Sequence, residues 1–309
     1  MPELPDIELY LHALRPRLVG RSILGVRLAS PFLVRTTTPD IQTLVGRTVV
    51  GLRRMGKRIV LDTGGPHLVI HLMIAGRFQW RDEQAPIPRR LGLLAIDVPG
   101  GTLLLTEAGT TRRASAHVVA DSAALAAMDP GGLEMLSATP EQFRETLARE
   151  RHTLKRALTD PTLFSGIGNA YSDEILHQAR LSPMRMSDAL TPDQTADLYK
   201  AIRAVLHQWR DTLIAEAGDA FPAKVTAFRT GMAAHGRYGR PCPVCGTPIQ
   251  RLRYAANEAN YCPTCQTEGR LLADRGLSRL LKSDWPRSLE ELERRKTAQR
   301  APVQGPGAD

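Results

Sequence analysis

Residues 242–265 read CPVCGTPIQRLRYAANEANYCPTC and contain all four cysteines of the chain: Cys242, Cys245, Cys262 and Cys265. They form two Cys-x2-Cys pairs separated by 16 residues. Each pair can supply two thiolates from one tight turn, and two such turns close a tetrahedral shell around Zn²⁺. Because a closed shell leaves no position for a substrate, the spacing predicts one structural zinc in a zinc ribbon. A redox pair or two disulfides are the alternatives, but a redox motif needs no duplicate.

The stretch between the cysteine pairs has the composition of a polar, basic hairpin. It includes Gln250, Arg251, Arg253 and Asn257. Such a hairpin can enter a groove of a nucleic-acid duplex, although a solvated surface would have the same composition.

The charge of the chain favours a polyanionic partner. Its 309 residues carry 41 Lys and Arg against 32 Asp and Glu, a net charge of +9. The excess lies mainly in residues 1–130, with 16 basic and 11 acidic groups, and in residues 236–270, with five and two. A near-neutral stretch separates these regions, which favours a nucleic acid held between them. A basic protein whose charge serves only solubility is the alternative.

The composition also excludes several classes of protein. Apolar residues make up 42% of the chain, enough for packed cores, and the length suits several domains. Four cysteines are too few for a disulfide-rich secreted scaffold. The start of the chain lacks the pattern of a signal peptide, and no run reaches 18 uncharged apolar residues. We therefore expect a cytoplasmic protein without a membrane partner.

The first half of the chain has the pattern of one helix followed by short strands. Apolar residues recur at helical spacing over residues 6–18, where Pro16 is expected to kink or end the helix. Seven short β-rich runs follow between turn signals, which favours an antiparallel sandwich. The predicted strands are Arg47–Leu52, Lys57–Asp62, His67–Met73, Arg77–Trp80, Gly92–Val98, Thr102–Thr106 and His117–Ala120.

From about residue 131 the pattern becomes helical. Glu141–Asp160 is predicted to form one or two helices, and Asn169–Ala179 another. A capping box that begins at Thr191 opens a long helix, which ends near Ala217. Residues 218–241 are predicted to be an irregular loop that orders on a ligand.

The C-terminal tail beyond residue 270 has the pattern of an amphipathic helix. We expect this helix to cover the zinc ribbon, with a partner-binding motif as the alternative, and the last ten residues are predicted to be disordered. The apolar residues of the predicted helix are Leu271, Leu272, Leu277, Leu280, Leu281 and Trp285.

These changes of pattern predict an α+β multidomain fold with four parts. An N-terminal antiparallel β-sandwich takes residues 1–130, and a helical domain takes residues 131–235. The zinc ribbon takes residues 236–270, and a partly disordered extension takes residues 271–309.

Two short segments carry candidate chemistry. The turn Ser165-Gly166-Ile167-Gly168-Asn169 can bring main-chain N–H groups close to an anion at a helix N-terminus, although most glycine turns bind nothing. At the start of the chain, removal of Met1 would leave Pro2 with a free secondary amine. A neutral amine can attack an electrophilic sugar carbon to form an iminium, and Glu3 could move protons at that carbon.

The order of these motifs resembles the formamidopyrimidine-DNA glycosylase and endonuclease VIII family over residues 1–267. The start PELPDIE matches the family's PELPEVE, and Lys57 lies where the family keeps a lysine of the catalytic site. The run HLVIHL from residue 67 matches a family strand, Lys155 and residues 165–169 match its phosphate-binding helix pair, and the cysteine spacing matches its zinc finger. The resemblance implies a β-sandwich, a helix–two-turn–helix domain and a zinc ribbon.

The resemblance further implies a bacterial base-excision repair DNA glycosylase with abasic-site lyase activity. Pro2 would attack C1′ of the damaged nucleotide, Glu3 would protonate the sugar ring oxygen, and Lys57 is the third catalytic residue. Lys57 and Asn169 would also hold the phosphates beside the flipped-out nucleotide. The other expected DNA contacts are His71, Arg112, Arg113, Lys155, Gly168 and Arg253. The partner would be double-stranded or locally unpaired damaged DNA, bound by a monomer at the nucleoid.

Four positions depart from the family members that remove oxidised purines. Ala114 stands where a phenylalanine wedge is expected, and alanine cannot unstack a base. Asp6 replaces a longer glutamate, and Asn257 stands where a zinc-finger arginine is expected. The void-filling methionine of the family is displaced or replaced, with Met73 and Ile74 as the candidates to fill the gap. These departures leave the excised base open.

Two other function classes compete with the glycosylase. A non-catalytic protein of the same fold that binds damaged DNA is the main alternative, and the altered wedge position favours it. A zinc-ribbon protein acting on RNA ranks last, because nothing in the sequence recognises a 2′-hydroxyl.

Overall fold

In the computed structural model, eight short strands build the N-terminal part of the chain. The structure describes residues 1–109, 111–226, 228–254, 257–273 and 286–300. The strands are β1 (Gly25–Leu28), β2 (Gly51–Met55), β3 (Arg58–Asp62), β4 (His67–His71), β5 (Gly76–Arg81), β6 (Gly92–Val98), β7 (Gly101–Glu107) and β8 (Ser115–Val119).

The eight strands form two four-stranded antiparallel sheets. Their orders are β1-β6-β7-β5 and β2-β3-β4-β8. Apolar residues of both sheets meet in one core, so the predicted sandwich is confirmed. Strand β4 lies between β3 and β8, and its last residue, His71, pairs with Arg58 on one side and Ser115 on the other.

Two details of the strand prediction were wrong. Strand β1 was not predicted, because its four residues, GVRL, are too few to show an alternating pattern. The first predicted strand was placed at Arg47–Leu52, whereas β2 is Gly51–Met55. Residues 46–49 instead bond to the segment after the first helix: Gly46 N–H donates to Ile23, and Val49 N–H donates to Arg21.

The predicted N-terminal helix, α1, runs from Leu4 to Leu18 and packs into the sandwich core. Ten of its 15 residues are buried. Pro16 lies inside the last turn, where the loss of one backbone donor does not stop the helix before Leu18. Because α1 begins directly after Glu3, packing of the helix also fixes where the first three residues lie.

The helical part of the chain has a core of its own. The span predicted as one or two helices forms two. Helix α6 begins with the predicted capping box, in which Thr191 and Gln194 each accept the other's backbone N–H. The helices are α2 (Ser122–Ala126), α3 (Pro140–Ala148), α4 (Leu154–Thr159), α5 (Asn169–Gln178) and α6 (Pro192–Ala217). Short 3₁₀ helices lie at Pro31–Leu33, Ile41–Leu44 and Ser187–Ala189.

The C-terminal part contains a two-stranded hairpin between the cysteine pairs. Strands β9 (Gln250–Tyr254) and β10 (Asn257–Tyr261) pair antiparallel, followed by helix α7 (Pro263–Thr267). A later helix, α8, runs from Leu289 to Arg300. In the part of residues 218–241 that the structure describes, the chain forms no helix or extended strand, as expected for a loop.

The tail prediction falls mostly outside the described residues. Leu277, Leu280, Leu281 and Trp285 lie outside them, as do residues 301–309. Leu272 is described, and it packs against the hairpin core while its N–H donates to the Tyr261 hydroxyl at 2.8 Å. Within the described ranges, no helix is long and apolar enough to cross a bilayer.

Candidate active site and zinc ribbon

The first residues of the chain contact the N-terminus of α5 through the side chain of Glu3. Glu3 is only 2% exposed, and its carboxylate accepts N–H groups from Gly168 at 2.7 Å, Ala170 at 2.8 Å and Tyr171 at 3.2 Å. The first N–H groups of a helix have no partner within it, so Glu3 acts as their cap from far away in sequence. The predicted proton-transfer residue and the predicted glycine turn are therefore in direct contact.

Gly168 allows two reactive side chains to reach the same point. A Cβ on Gly168 would lie 2.5 Å from Glu3 Cδ and 2.7 Å from Lys57 Nζ, which is closer than side chains pack. Its φ of −134° is open to any residue, so the requirement for glycine is one of space. Lys57 lies in the turn between β2 and β3. Residues from three distant parts of the sequence thus converge here.

Burial makes the Lys57 amine a better nucleophile near neutral pH than the amine of an exposed lysine. It lowers the pKa of Lys57, and the nearby charge of Lys155 lowers it further, while Glu3 opposes the shift. A lowered pKa raises the share of the neutral amine, the form that attacks a carbonyl or sugar carbon. The shift is in the direction that favours Lys57 as a nucleophile.

Pro2 is buried and precedes Glu3 in the chain, and Met1 lines a cleft. While Met1 is attached, the nitrogen of Pro2 belongs to an amide and has no free lone pair. Burial lowers the pKa of the Met1 amine from 8.0, with Glu3 opposing the shift. Removal of Met1 would convert this nitrogen into the free secondary amine of a new N-terminus, next to Glu3 in the chain.

The cleft has a volume of about 680 Å³ and a basic lining. Such a lining suits the phosphates of a nucleic acid. Its positive residues and the polar groups at the α5 N-terminus are Lys57, Arg151, Lys155, Arg156, Gly168 and Asn169.

Lys155 lies at this cleft but does not point a free charge into it. Its side chain is 4% exposed, and Nζ donates to Asp173 Oδ1 and to the Asn169 carbonyl, each at 2.6 Å. The expectation that Lys155 binds a phosphate stays a prediction. In the structure it forms a buried ion pair that fixes the first turn of α5, and thus the position of Asn169.

Asp6 connects Glu3 to the 218–241 loop. Its Oδ2 accepts the Glu3 N–H at 2.9 Å, and its Oδ1 accepts from Arg229 Nη2 at 2.7 Å. Burial raises the pKa of Asp6, and the guanidinium of Arg229 opposes the shift. The shorter aspartate noted in the sequence is therefore the buried partner of a loop arginine.

Glu174 attaches the same loop to α5. Its carboxylate accepts the N–H groups of Ala233, Ala234 and His235 at 2.7–2.9 Å. Burial raises the pKa of Glu174, and these three donors oppose the shift. Sequence reasoning missed Glu174 and Arg229, and the acidic pair at residues 173–174 of a buried helix was the one available signal.

The other expected DNA contacts on the β-sandwich lie outside this cluster. His71 ends β4, and burial together with the charges of Arg58 and Lys57 lowers its pKa to about 4. His71 is therefore neutral near pH 7. Arg112 and Arg113 are exposed between β7 and β8, and Arg112 donates to the Arg90 carbonyl.

The wedge position holds no protruding side chain. Ala114 is 4% exposed and belongs to the sandwich core. The buried carboxylate of Glu107 accepts the N–H groups of Arg113 and Ala114, which fixes this segment. Ile74 is 58% exposed at the turn after β4, beside Met73 with a φ of +52°. An apolar side chain is thus available there instead.

The hairpin of the ribbon presents a mixed surface. Arg253 is exposed on β9 and pairs in register with Glu258 on β10. Arg251 lies over the ring of Tyr238, 4.4 Å from its centroid. Asn257, which stands at the expected arginine position, begins β10.

The four cysteines are placed as zinc ligands. Their Sγ atoms lie within 4.8 Å of one another, and all four thiols are free of disulfides. Cys245 and Cys262 Sγ are 3.3 Å apart, and Cys242 and Cys265 Sγ are 3.9 Å apart. A tetrahedral Zn²⁺ with Zn–S bonds of about 2.3 Å needs sulfur atoms about 3.8 Å apart, so the residues fit one zinc.

Comparison with known proteins places this geometry in a family. The model of the formamidopyrimidine-DNA glycosylase N-terminal domain matches residues 1–114, and that of its H2TH domain matches residues 129–210. A formamidopyrimidine-DNA glycosylase of Thermus thermophilus is 34% identical over 280 residues, covering 87% of this chain and 100% of the relative. The chain belongs to the formamidopyrimidine-DNA glycosylase family. The relative from Desulforamulus reducens is 32% identical over 86% of this chain and 99% of its own length.

Solved structures of the same family share the fold. A complex of Lactococcus lactis Fpg with DNA that contains an abasic site superposes with a TM-score of 0.75 at 23% identity, covering 86% of this chain and 99% of that one. A complex of the Lactococcus lactis protein with DNA containing an oxidised pyrimidine also has a TM-score of 0.75, at 24% identity. A zinc finger found in FPG and IleRS matches residues 239–267, so the predicted structural zinc and its ribbon are confirmed.

Proposed function

We propose that the chain is a DNA glycosylase of base-excision repair that also cleaves the strand at the abasic site. The observation that carries the proposal is the convergence of Glu3, Lys57 and Gly168 at the N-terminus of α5, with Pro2 next to Glu3 in the chain. Relatives at 32–34% identity carry the name of this glycosylase. An amine, a carboxylate and a helix N-terminus within one basic cleft are the groups this chemistry needs.

The residues divide the reaction between them. The lone pair of the Pro2 amine attacks C1′, and the base leaves with the electrons of the glycosidic bond and takes up a proton from water. The Pro2 nitrogen gives its own proton to Glu3, which passes it to the sugar ring oxygen as the bond between C1′ and that oxygen breaks and the iminium forms. The resulting iminium makes the C2′ proton acidic. Loss of that proton expels the 3′ phosphate, and a second elimination expels the 5′ phosphate. The N-terminus of α5, with Asn169 and Lys57, holds a flanking phosphate.

Borohydride trapping tests this proposal directly. Borohydride reduces the iminium to a stable amine, so the parent protein should form a covalent complex with abasic-site DNA. An N-terminal tag that keeps Pro2 in a peptide bond should abolish trapping while DNA binding persists. Pro2→Gly is the matched point variant, and it replaces the secondary amine of proline at the same position. Mass spectrometry of the active protein should find a chain that starts at Pro2.

The outcomes separate three assignments. If the tagged protein still traps fully and Lys57→Ala does not trap, the nucleophile is Lys57 rather than Pro2. The absence of trapping with every DNA tested, together with tight binding, would favour the non-catalytic damaged-DNA binding protein. The buried Ala114 is the observation that keeps this second candidate open.

We propose that the preferred substrates are lesions that are already poorly stacked. Because Ala114 lies in the core, no side chain at that position can replace an everted base. Eversion costs a few kcal/mol, least for a damaged or unpaired base. We therefore expect better activity on abasic sites, bubbles, single strands and pyrimidine damage than on 8-oxoguanine in a fully paired duplex. At the abasic site the activity is strand cleavage, and at the other substrates it is base excision. Rapid, preferred excision of 8-oxoguanine opposite cytosine would show this to be wrong.

We propose that one chain acts as a monomer on DNA at the bacterial nucleoid. The cluster at α5 is complete within a single chain, since each of its members comes from the described residues. Sedimentation of the protein with a short lesion-containing duplex should give one protein per duplex. A complex with two chains per lesion would contradict this.

A further inference from the structure

One histidine of α5 contacts a zinc ligand and has no place in the chemistry proposed above. His177 Nε2 lies 3.2 Å from Cys242 Sγ. Both residues are buried, with exposed fractions of 5% and 3%. A zinc-bound thiolate has lone pairs and no proton, so it can only accept. The ring nitrogen at this distance must therefore be the donor of an N–H···S hydrogen bond.

The contact belongs to a regular series along α5 and the residues after it. Asp173 Oδ2 accepts from Asn260 of β10 at 3.1 Å, and the carbonyl of Leu181 accepts from Gln266 of α7 at 2.8 Å. Asp173, His177 and Leu181 are spaced by four residues, which places Asp173 and His177 on one face of the helix. The whole ribbon is therefore attached to one side of α5 and its C-terminal extension.

Of these three attachments, the one at His177 reaches a zinc ligand itself. The attachments at Asp173 and Leu181 hold the hairpin and α7, so they fix where the ribbon lies. A hydrogen bond to Cys242 Sγ additionally offsets the negative charge of the thiolate that binds the metal. Such partners of metal ligands set ligand orientation, and their loss typically costs about 10- to 100-fold in metal affinity.

We propose that His177 is a positioning residue for the zinc centre. Its Nε2–H donates to the Cys242 thiolate, orients this zinc ligand and fixes the position of the ribbon relative to α5. Helix α5 is ten residues long, from Asn169 to Gln178, and Glu3 caps its N-terminal end. The ribbon and the cluster around Glu3 therefore both contact the same helix. Loss of the hydrogen bond loosens the ribbon while leaving the Glu3 cap in place.

Zinc release from the full-length protein tests the role of His177. The variants are His177→Phe, which fills the space without a donor, and His177→Gln, whose amide can place an N–H near the same point. His207→Phe on α6 is the matched control. With a chelating dye as the probe, we expect zinc release about 10- to 100-fold faster in His177→Phe. Release should return to within about threefold of the parent in His177→Gln and stay unchanged in the control.

Two further readouts separate hydrogen bonding from packing. In cobalt-substituted protein, the thiolate-to-metal absorption band should shift in His177→Phe and return in His177→Gln. The Kd for abasic-site DNA should rise in His177→Phe, while the single-turnover rate of strand cleavage at saturating protein stays near the parent value. If His177→Phe fails to fold, His177→Asn, whose amide stops short of the thiol, replaces it.

Specific results would overturn the inference. Equal zinc release in the parent and His177→Phe would show that the hydrogen bond does not hold the ligand. Equal loss in the Phe and Gln variants would show that only the shape of the imidazole matters. The zinc and cobalt readouts need no catalysis, so they remain decisive even where the proposed glycosylase activity fails.

Discussion

Substitution of Gly168 by alanine tests whether the close approach of Glu3 and Lys57 is used in catalysis. The new Cβ would lie 2.5 Å from Glu3 Cδ and 2.7 Å from Lys57 Nζ. Because carbon atoms pack at about 3.5–4.0 Å, the Glu3 carboxylate must withdraw by about 1 Å. A displacement of that size in a catalytic group costs about 100-fold in rate.

The effect on stability should be smaller than the effect on rate. Both obstructing atoms are the ends of flexible side chains, and the φ of −134° suits alanine. The cost is then the weakened cap on α5, about 1–3 kcal/mol for hydrogen bonds to a charged group. We expect a lower Tm but a folded protein that still binds DNA and retains its zinc.

The assay is single-turnover base excision at saturating protein, with DNA affinity and Tm measured in parallel. Gly51→Ala is the matched control, because its Cβ would meet Asp62 Cβ at an ordinary 3.8 Å. The control should keep the parent rate. An excision rate for Gly168→Ala within about threefold of the parent would refute the reasoning, since it would mean that the observed position of Glu3 is not the working one.

Four further predictions follow from the site. Lys155→Ala should lower the free energy of unfolding by about 1–3 kcal/mol in denaturant titrations, because it removes the cation that bonds Asp173 Oδ1. His235 and Asn260 still bond Oδ2, so the carboxylate keeps part of its pairing; an unchanged midpoint would contradict this. Glu3→Gln should slow base excision more than cleavage at a preformed abasic site, since ring protonation matters most while the base leaves; equal losses would argue against that role. Lys57→Ala should flatten the plot of log K against log salt by about one unit if Lys57 contacts a phosphate. The pKa of His71 is lowered from 6.5 to about 4 in the folded protein. Between pH 6.5 and about 4 the unfolded chain therefore binds a proton at His71 that the folded chain does not, so the free energy of unfolding should fall as the pH drops through this range. His71→Gln should make that fall shallower.

The zinc ligands and the local backbone structure could be predicted from the sequence, because both depend on residues that are close together in the chain. The zinc ligands follow from thiol spacing alone, and the capping box at Thr191 follows from four consecutive residues. Glu3 and the turn at Gly168 were each predicted as candidates. Their contact was not, since no local rule relates residues that are 165 positions apart.

Partners that depend on tertiary packing were beyond sequence reasoning. Lys155 was interpreted as a phosphate ligand because it matches the phosphate-binding helix pair of the family that the sequence resembles. Only the fold shows that Asp173, on the next helix, neutralises it first. Glu174 and Arg229 gain their roles solely from where the 218–241 loop returns, and that loop has no periodic pattern to locate it.

The capping of α5 by Glu3 also sets an order of events during synthesis on the ribosome. Residues 168–171 leave the ribosome long after Glu3 does, and at about 5–20 residues per second the intervening 165 residues take roughly 8–33 s. Throughout that interval the N-terminus has no helix to dock on and stays open to a processing peptidase. Once α5 forms, the amine at Met1 becomes partly buried. If Pro2 is the nucleophile proposed above, we expect Met1 to be removed before α5 forms.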